Sequence, residues 1–253
     1  MTTLLAKIYE QHPLVLNVAN LVTMQRVADA INVLGASPLM TNEAAEAADL
    51  VSIAHAVTLN IGTVSENQFD LFVAAGQAAN AQGKPVILDP VAVSVPFRGD
   101  FVRRLMNEVK IDFIRGNAAE IAWFSEMNVA GQGIDALDTN ANIESAQVAA
   151  QKTGAVIVQT GVVDVVTDGE TTHEITYHSP LLAINVGAGD MVTGMLGAFA
   201  AVAERPIDAG VAVVQTMGLA GERASTKVSQ LPGNFVGALM DELYQLATAE
   251  VRA

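Results

Sequence analysis

The sequence predicts an α/β fold in which helices cover both faces of a mostly parallel central sheet. Short apolar runs alternate with segments of helical periodicity along the chain, which is the pattern of repeated strand–helix–strand units. No linker-like stretch, internal repeat or low-complexity tract interrupts this alternation. We therefore expect one domain over residues 1–253, with a sizeable core, because 51% of the residues are hydrophobic and 16% are charged.

Five short apolar runs predict the parallel strands of the sheet. They cover residues 13–18, 56–62, 84–90, 111–117 and 155–161. The stretch that follows, residues 162–177, alternates in polarity around Asp168-Gly169 and predicts an antiparallel hairpin.

Helical periodicity fills much of the sequence between these runs. It marks residues 21–35, 65–83, 118–126 and 145–154, with a polar loop and helix start over 131–145. From Gly187 onward the chain is predicted to be mostly helical, with breaks at Pro206 and at Pro232-Gly233.

Polar residues and glycines follow the predicted strands at their carboxyl ends, where ligands bind in sheets of this type. These residues come from distant parts of the chain and are expected to converge in space. They are Asn20, Gly62, Asp89, Arg115-Gly116-Asn117 and Thr160-Gly161.

The segment INVGAGDMVTGMLGAF places a glycine turn and one acid before a helix predicted from about Asp190 to Val202. Gly187 and Gly189 leave backbone N–H groups uncovered, and the helix N-terminus adds positive potential, so the turn is suited to an anion hole. Asp190 is placed to accept a proton from a hydroxyl group. A capped helix start explains the same residues equally well. The GxGxxG pattern of a Rossmann fold fails here, and the Walker A pattern is absent.

The segment IRGNAAE combines a cation, an amide and a carboxylate at a strand end. Arg115 carries a charge suited to a phosphate group. Asn117 and Glu120 share one face of the predicted helix, an arrangement that suits Mg²⁺ held mostly through water. The same pair predicts a capping box, and both interpretations can hold together. Asp89, in LDP, is either a second carboxylate for this site or a turn residue before Pro90.

Composition excludes several classes of function. The formal net charge is −14, and the 13 Lys and Arg residues are spread along the chain, so we expect no nucleic-acid partner and no anionic membrane partner. The chain has no cysteine, which excludes disulfides and thiolate metal sites. The four histidines lack metal-ligand spacing. Since no signal-like or membrane-spanning segment is evident, a cytoplasmic protein is expected.

Five ordered blocks of the sequence resemble the hydroxyethylthiazole kinase family of the ribokinase-like superfamily, and together they cover nearly the whole chain. They are VLNVANLVTMQRVADAINVLGASPLM, KPVILDPVAVSVPFR, IRGNAAEIAWF, VQTGVVDVVTDG and PGNFVGALMDELYQL. The resemblance implies a ribokinase-like three-layer α/β/α sandwich. It also implies ATP- and Mg²⁺-dependent phosphorylation of 4-methyl-5-(2-hydroxyethyl)thiazole in thiamine salvage, by a homotrimer with active sites at its interfaces.

The resemblance also implies roles for individual residues. Met40, Asn20 and Gly187 would bind the thiazole, while Arg115, Thr160 and Asn117 would bind ATP. Asp89 and Glu120 would serve Mg²⁺ and the phosphates. The glycine turn itself, rather than the family resemblance, predicts that Asp190 acts as the general base, with Gly187 and Gly189 forming the anion hole.

This sequence departs from the family pattern at three places. Asp190 stands where the family commonly has cysteine, although the wider superfamily of sugar and vitamin kinases has GAGD with the aspartate as base. Asn17-Val18-Ala19-Asn20 replaces the usual Cys-Ile-Thr-Asn, and Ala92 and Ser94 replace glycines of the DPVGxG segment. The reaction type is therefore predicted more firmly than the identity of the alcohol.

Two further functions remain open at this point. The ATP/ADP-dependent dehydratases of hydrated nicotinamide cofactors resemble the same superfamily and carry a GxGD turn, but they lack the GASPxM block. Phosphorylation of another small heteroaromatic alcohol is a variant of the thiazole kinase hypothesis. A non-catalytic thiazole-binding protein would fit the altered Asn17–Asn20 segment, whereas the Arg115, Glu120 and Asp190 set disfavours it.

Overall fold

The computed structural model describes residues 2–126 and 139–249, without side-chain detail at residues 2–3 and 139–141. The predicted loop over 131–138 lies outside the described residues. The strands are β1 (Leu14–Val18), β2 (Ser37–Met40), β3 (Ala56–Asn60), β4 (Val86–Asp89), β5 (Phe113–Asn117), β6 (Val156–Thr160), β7 (Asp164–Thr167) and β8 (Thr172–Ile175).

Helices connect most of these strands and form the C-terminal third of the described chain. They are α1 (Thr2–Gln11), α2 (Met24–Val33), α3 (Ala44–Ile53), α4 (Phe69–Ala81), α5 (Pro96–Glu108), α6 (Ala118–Ser125), α7 (Thr139–Thr153), α8 (Pro180–Ile184), α9 (Ala188–Val202), α10 (Pro206–Lys227) and α11 (Pro232–Thr248).

One eight-stranded sheet organises the fold, in the order β2-β1-β3-β4-β5-β6-β7-β8. The pairs from β2 to β6 are parallel, which confirms the predicted parallel sheet. Strand β7 pairs antiparallel with β6 on one side and with β8 on the other. The turn between β7 and β8 contains Gly169 at φ 93°, which confirms the predicted hairpin.

Helices bury both faces of this sheet and form three layers. Successive strand residues point to opposite faces, so that Val15 packs into one core and Leu16 into the other. Helices α1, α2, α9, α10 and α11 cover the first face, and α3 to α7 cover the second. The near-continuous apolar character of the predicted strands follows from this burial on both sides.

The five predicted parallel strands are confirmed, with ends that differ by one or two residues. The helix breaks at Pro206 and Pro232 are confirmed as well, since each proline occupies the first turn of a new helix. Helix α9 begins at Ala188, two residues before the predicted start. Elements also occur where the sequence pattern makes no prediction, namely α1, β2, α3, α5 and α8.

The sheet changes direction at β1, and this point locates the expected ligand crevice. From β1 the chain crosses to β2 on one side and then to β3 on the other. Loops that leave adjacent strands in opposite directions open a crevice beyond the carboxyl ends of β1 and β3. Residues that end or follow those two strands make hydrogen bonds to one another there and to the first turn of α9.

Candidate active site

The carboxylate of Asp190 lies at this crevice, in the first turn of α9. Its Oδ2 accepts a hydrogen bond of 2.6 Å from the Thr23 hydroxyl, which precedes α2. Its Oδ1 accepts one of 2.8 Å from the Asn60 amide, at the end of β3. Both oxygens are thus held by donors from separate elements, which fixes the orientation of the carboxylate.

The glycine turn before Asp190 has the geometry of an anion-binding helix start. Gly187 adopts φ 93°, a conformation that favours glycine, and it occupies the N-cap position without a side chain to cap the helix. A Cβ at Gly187 would lie 2.7 Å from Cγ2 of Thr23, so the contact also requires glycine. Among the described residues, we find no protein acceptor for the amides of Gly189 and Asp190. These amides and the helix dipole favour negative charge at this place.

The guanidinium of Arg115 lies directly against this turn. It packs on Gly189, where a Cβ would come within 2.6 Å of the Arg115 Cζ. It donates to the Thr160 hydroxyl, at the end of the neighbouring strand, and forms an ion pair of 3.5 Å with Asp89. Arg115 and Thr160 therefore meet at the carboxyl ends of the adjacent strands β5 and β6, as their positions in the sequence predict.

Asp89 is the most deeply buried acid of the site, with no exposed surface. Its Oδ2 accepts hydrogen bonds from Thr193 at 2.6 Å and from Asn60 at 3.1 Å. Burial raises the pKa of the Asp89 carboxyl group to about 7, while the charge of Arg115 opposes this rise. The other oxygen, Oδ1, is buried and has no hydrogen-bond partner among the described residues.

Glu120 and Asn117 form the predicted capping box at the start of α6. The Glu120 carboxylate accepts from the backbone N–H of Asn117 at 2.8 Å, and its second oxygen accepts from the backbone N–H of Ala92 at 2.9 Å. Ala92 adopts φ 53°, a left-handed conformation that glycine adopts at lower cost. The structural role of Glu120 is thereby confirmed, while its role toward Mg²⁺ stays a prediction.

Met40, one of the predicted thiazole contacts, lies on the β2 side of the crevice, and its role stays a prediction. Met40 ends the edge strand β2, is partly buried and pairs in register with Asn17. The Asn17 amide donates to carbonyls of Val15 and Leu39 and its oxygen accepts from Thr58. This buried amide therefore joins three strands, and its polar atoms are used within the sheet.

Asn20 also uses its side chain within the protein. Its oxygen accepts from the amides of Val22 at 3.0 Å and Thr23 at 3.1 Å, which orders the turn into α2. Its amide donates to Asn60 at 3.3 Å. Asn20 therefore borders the same network as Asp190.

Three members of this network, Thr23, Asn60 and Thr193, are not predicted by the sequence patterns above. Asn60 donates to both Asp89 and Asp190 and so bridges the two carboxylates. Thr193 lies one helical turn after Asp190 and reaches Asp89. The strand-end position of Asn60 is a signal that could have identified it, whereas the contacts of Thr23 join residues 167 positions apart.

The acidic residues suit a hydrated magnesium ion held together with a nucleotide. Within the described ranges no group of three or more His, Asp or Glu side chains is close enough to enclose a metal by itself. Mg²⁺ in kinases commonly takes one or two carboxylates, several waters and phosphate oxygens. The unpartnered oxygen of Asp89 fits this requirement.

In the part of the chain that the structure describes, helices are too short or too polar to cross a membrane.

Comparison with known proteins agrees with this geometry. A sequence model described as the hydroxyethylthiazole kinase family matches residues 5–249. A hydroxyethylthiazole kinase of Lactococcus lactis subsp. lactis is 54% identical over 249 residues, which cover 98% of this chain and 99% of that protein. The chain belongs to the hydroxyethylthiazole kinase family. It is therefore a kinase, and the family resemblance of the five sequence blocks is confirmed.

Solved structures confirm the fold. A hydroxyethylthiazole kinase protein of Pyrococcus horikoshii OT3 has a TM-score of 0.89 and 32% identity, over 100% of this chain and 95% of that chain. A ribokinase-like superfamily protein of Enterococcus faecalis V583 shares the fold at a TM-score of 0.67 and 15% identity, over 97% and 95% of the two chains. The predicted ribokinase-like three-layer sandwich is correct.

A buried acid beside the site, Asp164, makes the stability of the fold depend on pH. It accepts a hydrogen bond of 2.9 Å from the Gly161 amide. Burial raises the pKa of the Asp164 carboxyl group to about 6, against the opposing effects of that amide and of Arg115. The unfolded chain releases this proton near pH 4, at about the model-peptide value. The contribution of Asp164 to stability is therefore full below about pH 4 and is lost as the pH rises to about 6.

We predict that Asp164→Asn removes this loss. The free energy of unfolding of the variant minus that of wild type should increase by on the order of 2 kcal/mol between pH 4 and pH 7. Urea denaturation at a series of pH values measures this difference. Asp168→Asn is a control, because backbone amides, chiefly that of Thr171, lower the pKa of Asp168. Its difference from wild type should have the opposite sign of pH dependence, should change mainly below about pH 4 and should change little between pH 4 and pH 7. A difference between Asp164→Asn and wild type that stays constant with pH would contradict the prediction.

Proposed function

We propose that the chain transfers the γ-phosphoryl group of ATP to the hydroxyl of 4-methyl-5-(2-hydroxyethyl)thiazole, in thiamine salvage. The observation that carries this proposal is the Asp190 carboxylate, which lies in an anion-binding helix turn with Arg115 packed against it. A base and an anion site side by side are what phosphoryl transfer to an alcohol requires. The family and its close relatives support the choice of substrate.

In this proposal the alcohol and the γ-phosphoryl group meet at the start of α9. Asp190 orients the substrate hydroxyl and takes its proton. The turn at Gly187 presents the amides of Gly189 and Asp190, which stabilise the charge on the transferring group. Arg115, Thr160 and Asn117 bind the nucleotide, on the β5–β6 side. Met40, Asn20 and Gly187 bind the thiazole, as the family resemblance implies.

Asp89 and Glu120 would hold Mg²⁺, directly or through water. The ion supplies neutralisation of charge on the phosphate oxygens when it is bound with ATP. Arg115 adds a fixed positive charge to the same region, and Asn60 keeps Asp89 and Asp190 in a fixed relation to each other.

We propose that the protein acts in the cytoplasm as a homotrimer with active sites at the interfaces. Exposed apolar side chains flank the contact between Gly187 and Thr23 and support an interface there. They are Leu21, Val22, Ile184 and Val186, each at least 61% exposed. Light scattering on the purified protein should give three chain masses, and a monomeric mass would count against the trimer.

The proposed reaction is tested by incubation of the purified protein with Mg-ATP and the thiazole alcohol. We expect ADP and the thiazole monophosphate in equal amounts. The dehydratase alternative predicts instead that ATP is consumed with hydrated NADH, and a kinase for another alcohol predicts turnover in a screen of small heteroaromatic alcohols. Binding of the thiazole in calorimetry without turnover would favour the non-catalytic alternative.

The role of Asp190 is tested by Asp190→Ala. We predict a fall in kcat of at least ~10²-fold with little change in substrate affinity, because a general base acts on the transition state. Asp208→Ala is a matched control, since Asp208 is also an acid in the first turn of a helix and lies in α10. Steady-state kinetics with the thiazole alcohol measures both variants, and a retained kcat in Asp190→Ala would refute the base role.

A further inference from the structure

We propose that Thr23 is a positioning residue that switches its hydroxyl hydrogen from Asp190 to Asn20 when Asp190 takes up the substrate proton. The inference rests on the proposed phosphoryl transfer and adds a residue to it. Thr23 does not contact the reacting atoms in this proposal, and it acts through Asp190.

The hydroxyl of Thr23 faces two acceptors and has one hydrogen. Its Oγ1 lies 2.6 Å from Oδ2 of Asp190 and 3.1 Å from Oδ1 of Asn20. A hydroxyl donates one hydrogen bond and accepts others, so only one of these contacts is a donation by Thr23 at any time. The shorter contact, to the charged carboxylate, is the stronger while Asp190 is ionised.

The surroundings of Thr23 leave its hydroxyl hydrogen free to turn but restrict the rest of the side chain. The residue is 4% exposed, so bulk water does not replace either acceptor readily. Its methyl group packs against Gly187, which fixes the rotation of the side chain as a whole. The hydrogen on Oγ1 is therefore the part of the side chain that is free to turn.

The two oxygens of Asp190 differ in what their neighbours can do. Oδ1 faces the amide nitrogen of Asn60, which donates and cannot accept. Oδ2 faces the Thr23 hydroxyl, which can do both. A proton on Oδ2 thus keeps a hydrogen-bond partner, because Thr23 accepts it and donates its own hydrogen to Asn20.

The complete step balances within the site. The oxygen of the thiazole alcohol forms a bond to the γ-phosphorus of ATP as the bond from that phosphorus to the β-γ bridging oxygen breaks, and ADP leaves. The alcohol proton moves to Oδ2 of Asp190. The Asp190 O–H then donates to Thr23 Oγ1, and the Thr23 hydrogen turns to Oδ1 of Asn20. Release of the proton to solvent restores the starting arrangement.

Thr23→Val and Thr23→Ser separate the hydroxyl from the shape of the side chain. Valine keeps the volume and the methyl group beside Gly187 but lacks the hydroxyl, whereas serine keeps the hydroxyl and loses the methyl group. We expect Thr23→Val to lower kcat about 10-fold or more, with KM for the thiazole alcohol within about 3-fold of wild type. Thr23→Ser should retain most of the wild-type kcat.

A double-mutant cycle with Asp190→Asn tests whether Thr23 acts through Asp190. The Thr23→Val effect on kcat should disappear in the Asp190→Asn background, because asparagine takes up no proton. Equal kcat in Thr23→Val and wild type, equal losses in the valine and serine variants, or additive effects in the cycle would overturn the proposal.

A second double-mutant cycle, which combines Thr23→Val with Asp190→Ala and measures the free energy of unfolding, requires no substrate. Alanine is used at residue 190 because the amide of an asparagine would still donate to Thr23 Oγ1. Coupling between Thr23 and Asp190 is expected there, since the two side chains share a partly buried hydrogen bond of 2.6 Å. Absence of this coupling would overturn the Thr23 inference. If the cycle shows this coupling but the wild-type protein does not phosphorylate the thiazole alcohol, the proposed function is overturned instead.

Discussion

The close approach of α9 to the sheet is the constraint on which the site depends. Gly197 faces β1 and β3, where a Cβ would lie 2.6 Å from Val15 and 3.1 Å from Thr58. Because α9 lies this near, its first turn falls at the carboxyl ends of the same strands, and Asp190 comes within reach of Asn60. The glycines of this helix lower its intrinsic propensity, and the burial of its apolar residues against both the sheet and α2 offsets that cost.

The site concentrates positive potential although the chain as a whole is acidic. The formal net charge is −14, yet Arg115 lies between Asp89 and the α9 turn. The electrostatic potential of one partly buried guanidinium is screened little over the short distance to its neighbours. The potential of surface charges is largely screened beyond about 8–10 Å, so the many acidic residues on the surface oppose it only weakly. Backbone amides and the α9 dipole supply the remaining positive potential, as expected for a phosphate site in a protein with few cations.

The sequence predicted the strands and their common edge but only part of the contacts across that edge. Apolar runs identify β1, β3, β4, β5 and β6 because each is buried on both faces. Strand β2 is missed because it is a short edge strand with Pro38 in it, and α5 because its helical periodicity is weakened by polar residues. Strand ends could be placed near one another from topology alone. The pairing of Thr23 with Asp190 could not, because it depends on the exact height of α9 over the sheet.

The donors around residue 190 suit the aspartate of this chain. Thr23 and Asn60 come from separate elements, and each donates a hydrogen bond to one oxygen of the carboxylate. A thiol at this position, as the related family commonly has, would offer one weak acceptor in place of two charged oxygens. Thr23 would keep its contact with Asn20, and Asn60 would keep its hydrogen bond to Asp89. Both would lose their hydrogen bonds of 2.6 and 2.8 Å to a charged acceptor, which are the stronger kind, so the Thr23–Asn60 pair favours a carboxylate here. The aspartate is therefore integrated into the hydrogen-bond network of the site, because both of its oxygens accept from donors that this chain places beside them.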